Sequence, residues 1–155
     1  MFSMTLEAGG RVDGQTGRHP DLSSVQIIIW SGAAASRELI LRLREICPRM
    51  SSSYGLTESV GSVTYVHDTE DLEILADTIG WPHPAYEFRL ASPEGVAVPA
   101  GEPGEIQVRG RTLFAGYLEG DETKLLLTED GWFATGDLGR IDAEGYLHIT
   151  DRKKD

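Results

Sequence analysis

Val25-Gln26-Ile27-Ile28-Ile29-Trp30, followed at once by Ser31-Gly32-Ala33-Ala34-Ala35-Ser36, is the stretch on which the fold turns. The first six residues are almost continuously apolar and rich in β-branched side chains, the pattern of a strand buried on both faces of a parallel sheet. The next six are small. After them Leu39, Leu43 and Ile46 recur on one stripe with Ile40 and Cys47 beside it, which predicts a helix capped by Ser36 and stopped by Pro48. Strand, small-residue turn and helix make the unit of an open α/β sheet, whose turns bind ligands through outward-pointing backbone N–H groups at the helix start.

Downstream, Met50 to Tyr54 reads as a short element and Val63 to His67 as another strand. Residues 68–77 carry five acids and no base, the mark of a solvated helix or loop. Beyond Gly80 the pattern changes to alternation in Ala85 to Leu90, Gly104 to Arg109 and Tyr146 to Ile149, separated by turns such as Asp130-Gly131 and Glu144-Gly145. A small antiparallel sheet or barrel is expected there, with one helix near Asp121 to Leu127. The expected class is α+β: an α/β piece over 21–78, an antiparallel β subdomain over 79–150, a loosely ordered leader over 1–20 and a terminal segment over 151–155.

The chain has 155 residues with 25 acids against 14 Lys and Arg, a formal charge of -11. An acid excess of this size argues against general nucleic-acid binding, which needs an electropositive face. No apolar run approaches the roughly 18 residues of a membrane helix, and the start lacks the basic and apolar regions of a secretory signal. A single cysteine, Cys47, rules out an internal disulfide framework and fits the reducing cytoplasm. Gly9 to Thr16 has the glycine spacing of a phosphate loop, but Gln15 stands at the lysine position and no strand precedes it. His19, His67, His83 and His148 have no metal-ligand spacing. Trp30, Trp81 and Trp132 read as packing residues.

Three motifs carry chemistry. Tyr54-Gly55-Leu56-Thr57-Glu58 sets an aromatic face, a glycine, a hydroxyl and a carboxylate within five residues, a set suited to a base, a phosphate oxygen and a hard cation. Gly131-Trp132-Phe133-Ala134-Thr135-Gly136-Asp137 places a carboxylate after what reads as a tight glycine turn, able to accept from both hydroxyls of a ribose. Asp151-Arg152-Lys153-Lys154-Asp155 is the third.

In this order, with Ser31-Gly32-Ala33-Ala34 before them and Gly104 to Gly110 and Ala115-Gly116-Tyr117 between them, the motifs resemble the adenylate-forming superfamily over about residues 21–155. That superfamily includes acyl- and aryl-CoA synthetases, luciferases and peptide-synthetase adenylation domains. Leu56 and the Arg152-Lys153-Lys154-Asp155 ending are most similar to the CoA synthetases.

The resemblance implies that Gly32, Ala33, Ala34, Tyr54 and Gly55 form the base site of ATP or AMP. It further implies that Thr57 contacts the α-phosphate, Glu58 binds Mg2+, Asp137 and Arg152 hold the ribose, and Lys154 is a hinge. Ser59, Val60 and Gly61 would line the acyl pocket. The implied reaction joins a carboxylic acid to coenzyme A through an acyl-adenylate. The family's phosphate loop and C-terminal domain have no counterpart in the sequence, so the expectation is a segment inactive alone, with sheet edges that favour self-association. The alternatives are a non-catalytic nucleotide- or protein-binding remnant and an adenylation domain serving a carrier-protein thiol.

Overall fold

The computed structural model describes residues 21–116 and 127–153 of the chain. Within them two four-stranded sheets follow one another in sequence. The first has the order β1 (Ile28–Ser31), β2 (Met50–Leu56), β3 (Gly61–Tyr65), β4 (Trp81–Pro82), with helices α1 (Arg37–Ile46) and α2 (Leu72–Asp77) between strands. The second is β5 (Tyr86–Ala91), β6 (Gly104–Gly110), β7 (Phe133–Ile141), β8 (Leu147–Arg152), antiparallel throughout. The class is α+β.

Helix α1 forms as its sequence dictates. Ser36 Oγ accepts from Leu39 N at 3.2 Å, and the Cys47 N–H closes the last turn on Leu43 O ahead of Pro48. Its apolar stripe, Ile40 and Leu43, packs with Ile28, Cys47, Met50, Val66 and Leu75 into the core of the first sheet. Asp71 caps α2 by accepting from Glu73 N and Ile74 N. The acids of 68–77 do not all stand alone in solvent: Asp68 pairs with Arg49, and Asp77 with Arg37.

The first sheet departs from the expected parallel arrangement. Only β1 and β2 are parallel; β2–β3 and β3–β4 are antiparallel. Only the 3-10 turn Thr57–Ser59 and Val60 separate β2 from β3, too little chain for the crossover that parallel strands require. Nor is β1 buried on both faces. Ile28 is 7% exposed under α1, but Ile29 on the opposite face is 55% exposed, because the helices cover one side of the strand only.

In the second sheet the alternation expected from the sequence is present. Leu90, Ile106, Val108, Phe133 and Leu147 point to one buried face, joined there by Val63 from β3. On the other face Arg89 and Arg109 lie over the Trp132 ring, 4.4 and 4.6 Å from its centroid, while pairing with Asp130 and Glu87. The stretch read as a tight glycine turn is instead the nine-residue strand β7, whose Gly136 takes φ +76 and kinks the chain just before Asp137. Of the helix expected near Asp121 to Leu127, only Leu127 is described, and it bridges to Phe133. The leader over 1–20 lies outside the described residues.

The sheets meet along a polar seam. Ile79 N donates to Leu147 O and Leu147 N to Gly80 O, at 2.8 and 2.9 Å. His148 sets Nδ1 2.8 Å from Asp77 O and Nε2 2.6 Å from Asp142 Oδ2. Trp81 stacks on Tyr146, with ring centroids 4.1 Å apart.

Candidate functional site

A cavity of about 460 Å³ opens where the Gly32 turn, the C-terminal part of β2, the end of α2 and the kink of β7 converge. Its lining includes Gly32, Ala33, Ala34, Tyr54, Gly55, Asp137 and Arg152, so residues more than a hundred positions apart in sequence meet in one place. The turn reaches it because Ser36 starts α1 immediately afterwards. The Tyr54 hydroxyl donates to Asp137 Oδ2 at 2.6 Å, spanning the two sheets, and Arg152 Nε lies 3.6 Å from Oδ1. Burial above all, and then this hydrogen bond, push the Tyr54 phenol well above its ordinary range, so it remains a protonated donor. Asp137 is itself only 13% exposed along its side chain.

Thr57 and Glu58 line a second, more open hollow of about 410 Å³, with Ser31, Gly55, Leu56, Gly61 and Ser62. Gly55 and Leu56 belong to both. At Gly55 the strands approach so closely that a β-carbon would lie 2.1 Å from the Gly61 carbonyl oxygen, which only glycine permits. The turn carrying Thr57 and Glu58 is fastened by the segment that follows β6 and by β5: Phe114 N donates to Glu58 O at 2.8 Å and the Tyr86 hydroxyl to Ser59 O at 2.7 Å.

The three residues expected at an acyl pocket separate. Ser59 is fully buried, and its hydroxyl is occupied within the turn by Leu56 N, Leu56 O and Gly61 O, so it does not face a pocket. Val60 is 73% exposed with φ 56, and Gly61 borders the second hollow. Lys154 lies outside the described residues; its neighbour Lys153 reaches Glu105 Oε2 at 3.1 Å.

Sequence reasoning missed Ser52. It lines the larger cavity, is 5% exposed, and its hydroxyl has no hydrogen-bond partner among the described residues. Its place two residues before Tyr54 on the same strand face was the available signal. It also missed Trp30 and residues 75–79 as cavity walls.

The donor set suits an adenine nucleotide. A ring and a small-residue turn offer a slot for a base, and a carboxylate with a guanidinium stands nearby for sugar hydroxyls. Among the described residues no three His, Cys, Asp or Glu side chains gather as a metal cage. A Mg2+ ion does not need one, since it is commonly held by one or two carboxylates plus substrate phosphates, and Glu58 supplies a carboxylate.

Comparison with known families decides the affiliation: the model of the AMP-binding enzyme family matches residues 1–118. The chain belongs to this family. It is 35% identical over 138 residues to a feruloyl-CoA synthase of Amycolatopsis, a match covering 89% of this chain and 28% of that protein. Among solved structures, the amide bond synthetase McbA from Marinactinospora thermotolerans superposes with TM-score 0.76 at 31% identity, covering 87% of this chain and 28% of its own. O-succinylbenzoate coenzyme A synthetase (MenE) from Bacillus subtilis, in complex with ATP and magnesium ion, gives TM-score 0.75 at 27% identity, covering 97% and 30%. This AMP-binding chain therefore spans between a quarter and a third of the length of these relatives. None of its helices, among the described residues, is long and apolar enough to cross a membrane.

Proposed function

We propose that this chain carries the adenine- and ribose-binding part of an ATP-dependent acyl- or aryl-CoA synthetase. The observation that carries the reading is the meeting of the Gly32–Ala34 turn, Tyr54, Asp137 and Arg152 around one cavity, drawn from both sheets. In the complete enzyme a substrate carboxylate oxygen attacks the α-phosphorus of ATP. Pyrophosphate leaves, and a thiol, that of coenzyme A, then attacks the acyl carbonyl and displaces AMP. Two anions must approach in the first step, so groups that offset their repulsion as charge develops lower its barrier. Thr57 would donate its hydroxyl to the α-phosphate, and Glu58 is the group that would hold Mg2+, whose contribution when bound is to neutralise phosphate charge. The acyl pocket is proposed near the turn Ser59-Val60-Gly61, of which Gly61 borders the second hollow.

β8 ends at Arg152 beside the cavity, and Lys154, two positions on, would be the hinge to the rest of such an enzyme. The 155 residues alone are expected to form no acyl-adenylate from ATP, Mg2+ and carboxylic acids, and the sheet edge at β1 is expected to favour self-association. The cytoplasm is the compartment proposed for it.

The reading is tested by titrating isotopically labelled chain with AMP and following backbone resonances. Saturable shifts at Gly32–Ala34, Tyr54, Gly136 and Asp137, at millimolar dissociation constant or weaker, about -4 kcal/mol, are expected. Shifts spread over the surface with no saturation would remove the nucleotide assignment.

A further inference from the structure

Tyr54 does two separable things in the cavity. Its ring forms part of the wall, while its hydroxyl leaves the ring and grips a carboxylate on the other sheet, 83 residues further along the chain. At 2.6 Å this is a charge-assisted O–H···O− bond, of the short and strong kind. Among the described residues little else fixes the Asp137 carboxylate. Arg152 Nε, at 3.6 Å from Oδ1, is beyond good hydrogen-bond distance, and its side chain is 70% exposed. The Asp137 backbone is well held: its N–H donates to Thr135 Oγ1 at 3.1 Å, and the Thr135 hydroxyl donates to Ile106 O at 2.9 Å. What the backbone cannot set is rotation of the carboxylate about its last torsion, which is soft and broad. The phenol sets it, by holding Oδ2, while Oδ1, flanked by Arg152 Nε at 3.6 Å, keeps the capacity to accept from a ligand.

We infer that the Tyr54 hydroxyl is a positioning group that makes this cavity discriminate ribonucleotides from 2′-deoxyribonucleotides, by locking the Asp137 carboxylate in the orientation that accepts from sugar hydroxyls. The inference rests on the nucleotide reading of the cavity and adds to it a residue role and a specificity. A locked acceptor rewards a ligand that brings the matching hydroxyl. A rotating one surrenders part of that gain to the entropy of being fixed, whichever sugar arrives.

The test is Tyr54→Phe, which keeps the ring against the base and removes only the grip on Asp137. Dissociation constants for AMP and 2′-deoxyAMP are measured by chemical-shift titration on the wild-type chain, on Tyr54→Phe and on Asp137→Asn. Wild type is expected to favour AMP by about tenfold, the scale of one hydrogen bond to a charged group. In Tyr54→Phe the ratio is expected to fall towards one, chiefly through loss of AMP affinity. Asp137→Asn, which keeps the side chain's size, is expected to lose the preference as well, and it serves where the phenylalanine variant does not fold.

A purely structural role for the hydroxyl would weaken both nucleotides equally and leave the ratio intact, which would overturn the inference while the nucleotide reading stands. Equal affinity for both nucleotides in the wild type would overturn it too. Absence of saturable binding by either nucleotide to the wild type would overturn the nucleotide reading, and the inference with it.

Discussion

The central strands of the two sheets are built from opposite materials. β2 enters the first sheet as Met50-Ser51-Ser52-Ser53, and its neighbour β1 shows Ile29 to solvent. β6 crosses the second sheet as Gly104-Glu105-Ile106-Gln107-Val108, every one of them buried, with Ile106 and Val108 fully so. The first sheet trades apolar packing for small and polar groups, which leave the larger cavity beside the strand. The second is a conventional apolar layer, and it holds the first in shape: Val63 of β3 is anchored in its core, and Phe114, Tyr86 and Asp137 reach across to the turn and ring that line the hollows. The first sheet supplies most of the cavity wall, and the second adds Asp137 and Arg152 to it while carrying the larger apolar layer.

The largest expected effect follows from that division. Ile106→Ala removes a fully buried side chain between β5 and β7 and should cost about 2–5 kcal/mol of unfolding free energy. Ile29→Ala, on the exposed face of β1, should stay within about 0.5 kcal/mol. Chemical denaturation of the two variants measures both. Comparable costs would mean that the face of the first sheet is covered in solution, as by self-association, and that the two sheets are not the contrast drawn above.

The seam comes next. Both ring nitrogens of His148 face acceptors, the Asp142 carboxylate and the Asp77 carbonyl, so the ring ties β8 to the end of α2. His148→Ala leaves a half-buried carboxylate with fewer donors and should cost about 1–3 kcal/mol. Hydrogen exchange at the Ile79 and Leu147 amides, which cross the seam, should quicken more than exchange within β6.

The same contact gives a pH dependence. Burial works to raise the Asp142 carboxyl, but hydrogen bonds from His148 and from the Tyr146 and Glu144 N–H groups outweigh it and hold it below its usual range. A carboxyl held lower in the folded state binds fewer protons there than in the unfolded chain. Its stabilisation is therefore complete above the ordinary carboxylate range near 3.8 and is lost as pH falls through the depressed folded value. Asp142→Asn should flatten the acid limb of a stability profile. An unchanged limb would place the acid sensitivity elsewhere.

Much of this architecture was legible in the sequence, for identifiable reasons. Ser36, the stripe Leu39, Leu43 and Ile46 with Ile40 beside it, and Pro48 act within a few residues of one another, so α1 could be read locally, though the fully buried pair is Ile40 and Leu43; strict alternation announced β5, β6 and β8. The failures share a cause, which is that they depend on what lies opposite. The run Val25 to Trp30 tells that a strand is apolar but not how many of its faces meet a partner. β7 was hidden because Gly136 and Gly139 interrupt its alternation, and glycine near an acid reads as a turn until a neighbouring strand pairs with it. At the site, the motifs named Tyr54 and Asp137 separately. The bond between them belongs to the packing of two sheets, and no spacing rule reaches across 83 residues. Ser59 misled for the opposite reason: its hydroxyl, which could have served a pocket, is consumed by its own turn.

The smallest effect belongs to the turn that borders the larger cavity. Ser36 is the last residue before α1, and its hydroxyl accepts from Leu39 N, satisfying one of the N–H groups that a helix start leaves without an intrahelical partner. Ser36→Ala should cost about 1 kcal/mol, whereas Ser36→Asp, which keeps an acceptor and adds a favourable charge at the helix N-terminus, should cost little or nothing. The helix stripe is buried against β1 and β2 independently of the cap, so the alanine variant should fray the first turn and leave Leu43 in place. Hydrogen exchange that quickens at Leu39 and Ile40 but not at Cys47 would show this. A loss approaching that of Ile106→Ala would mean instead that the turn, the helix and the first sheet unfold as one unit whose stability hangs on its most exposed corner, and the support assigned to the second sheet would have to be shared.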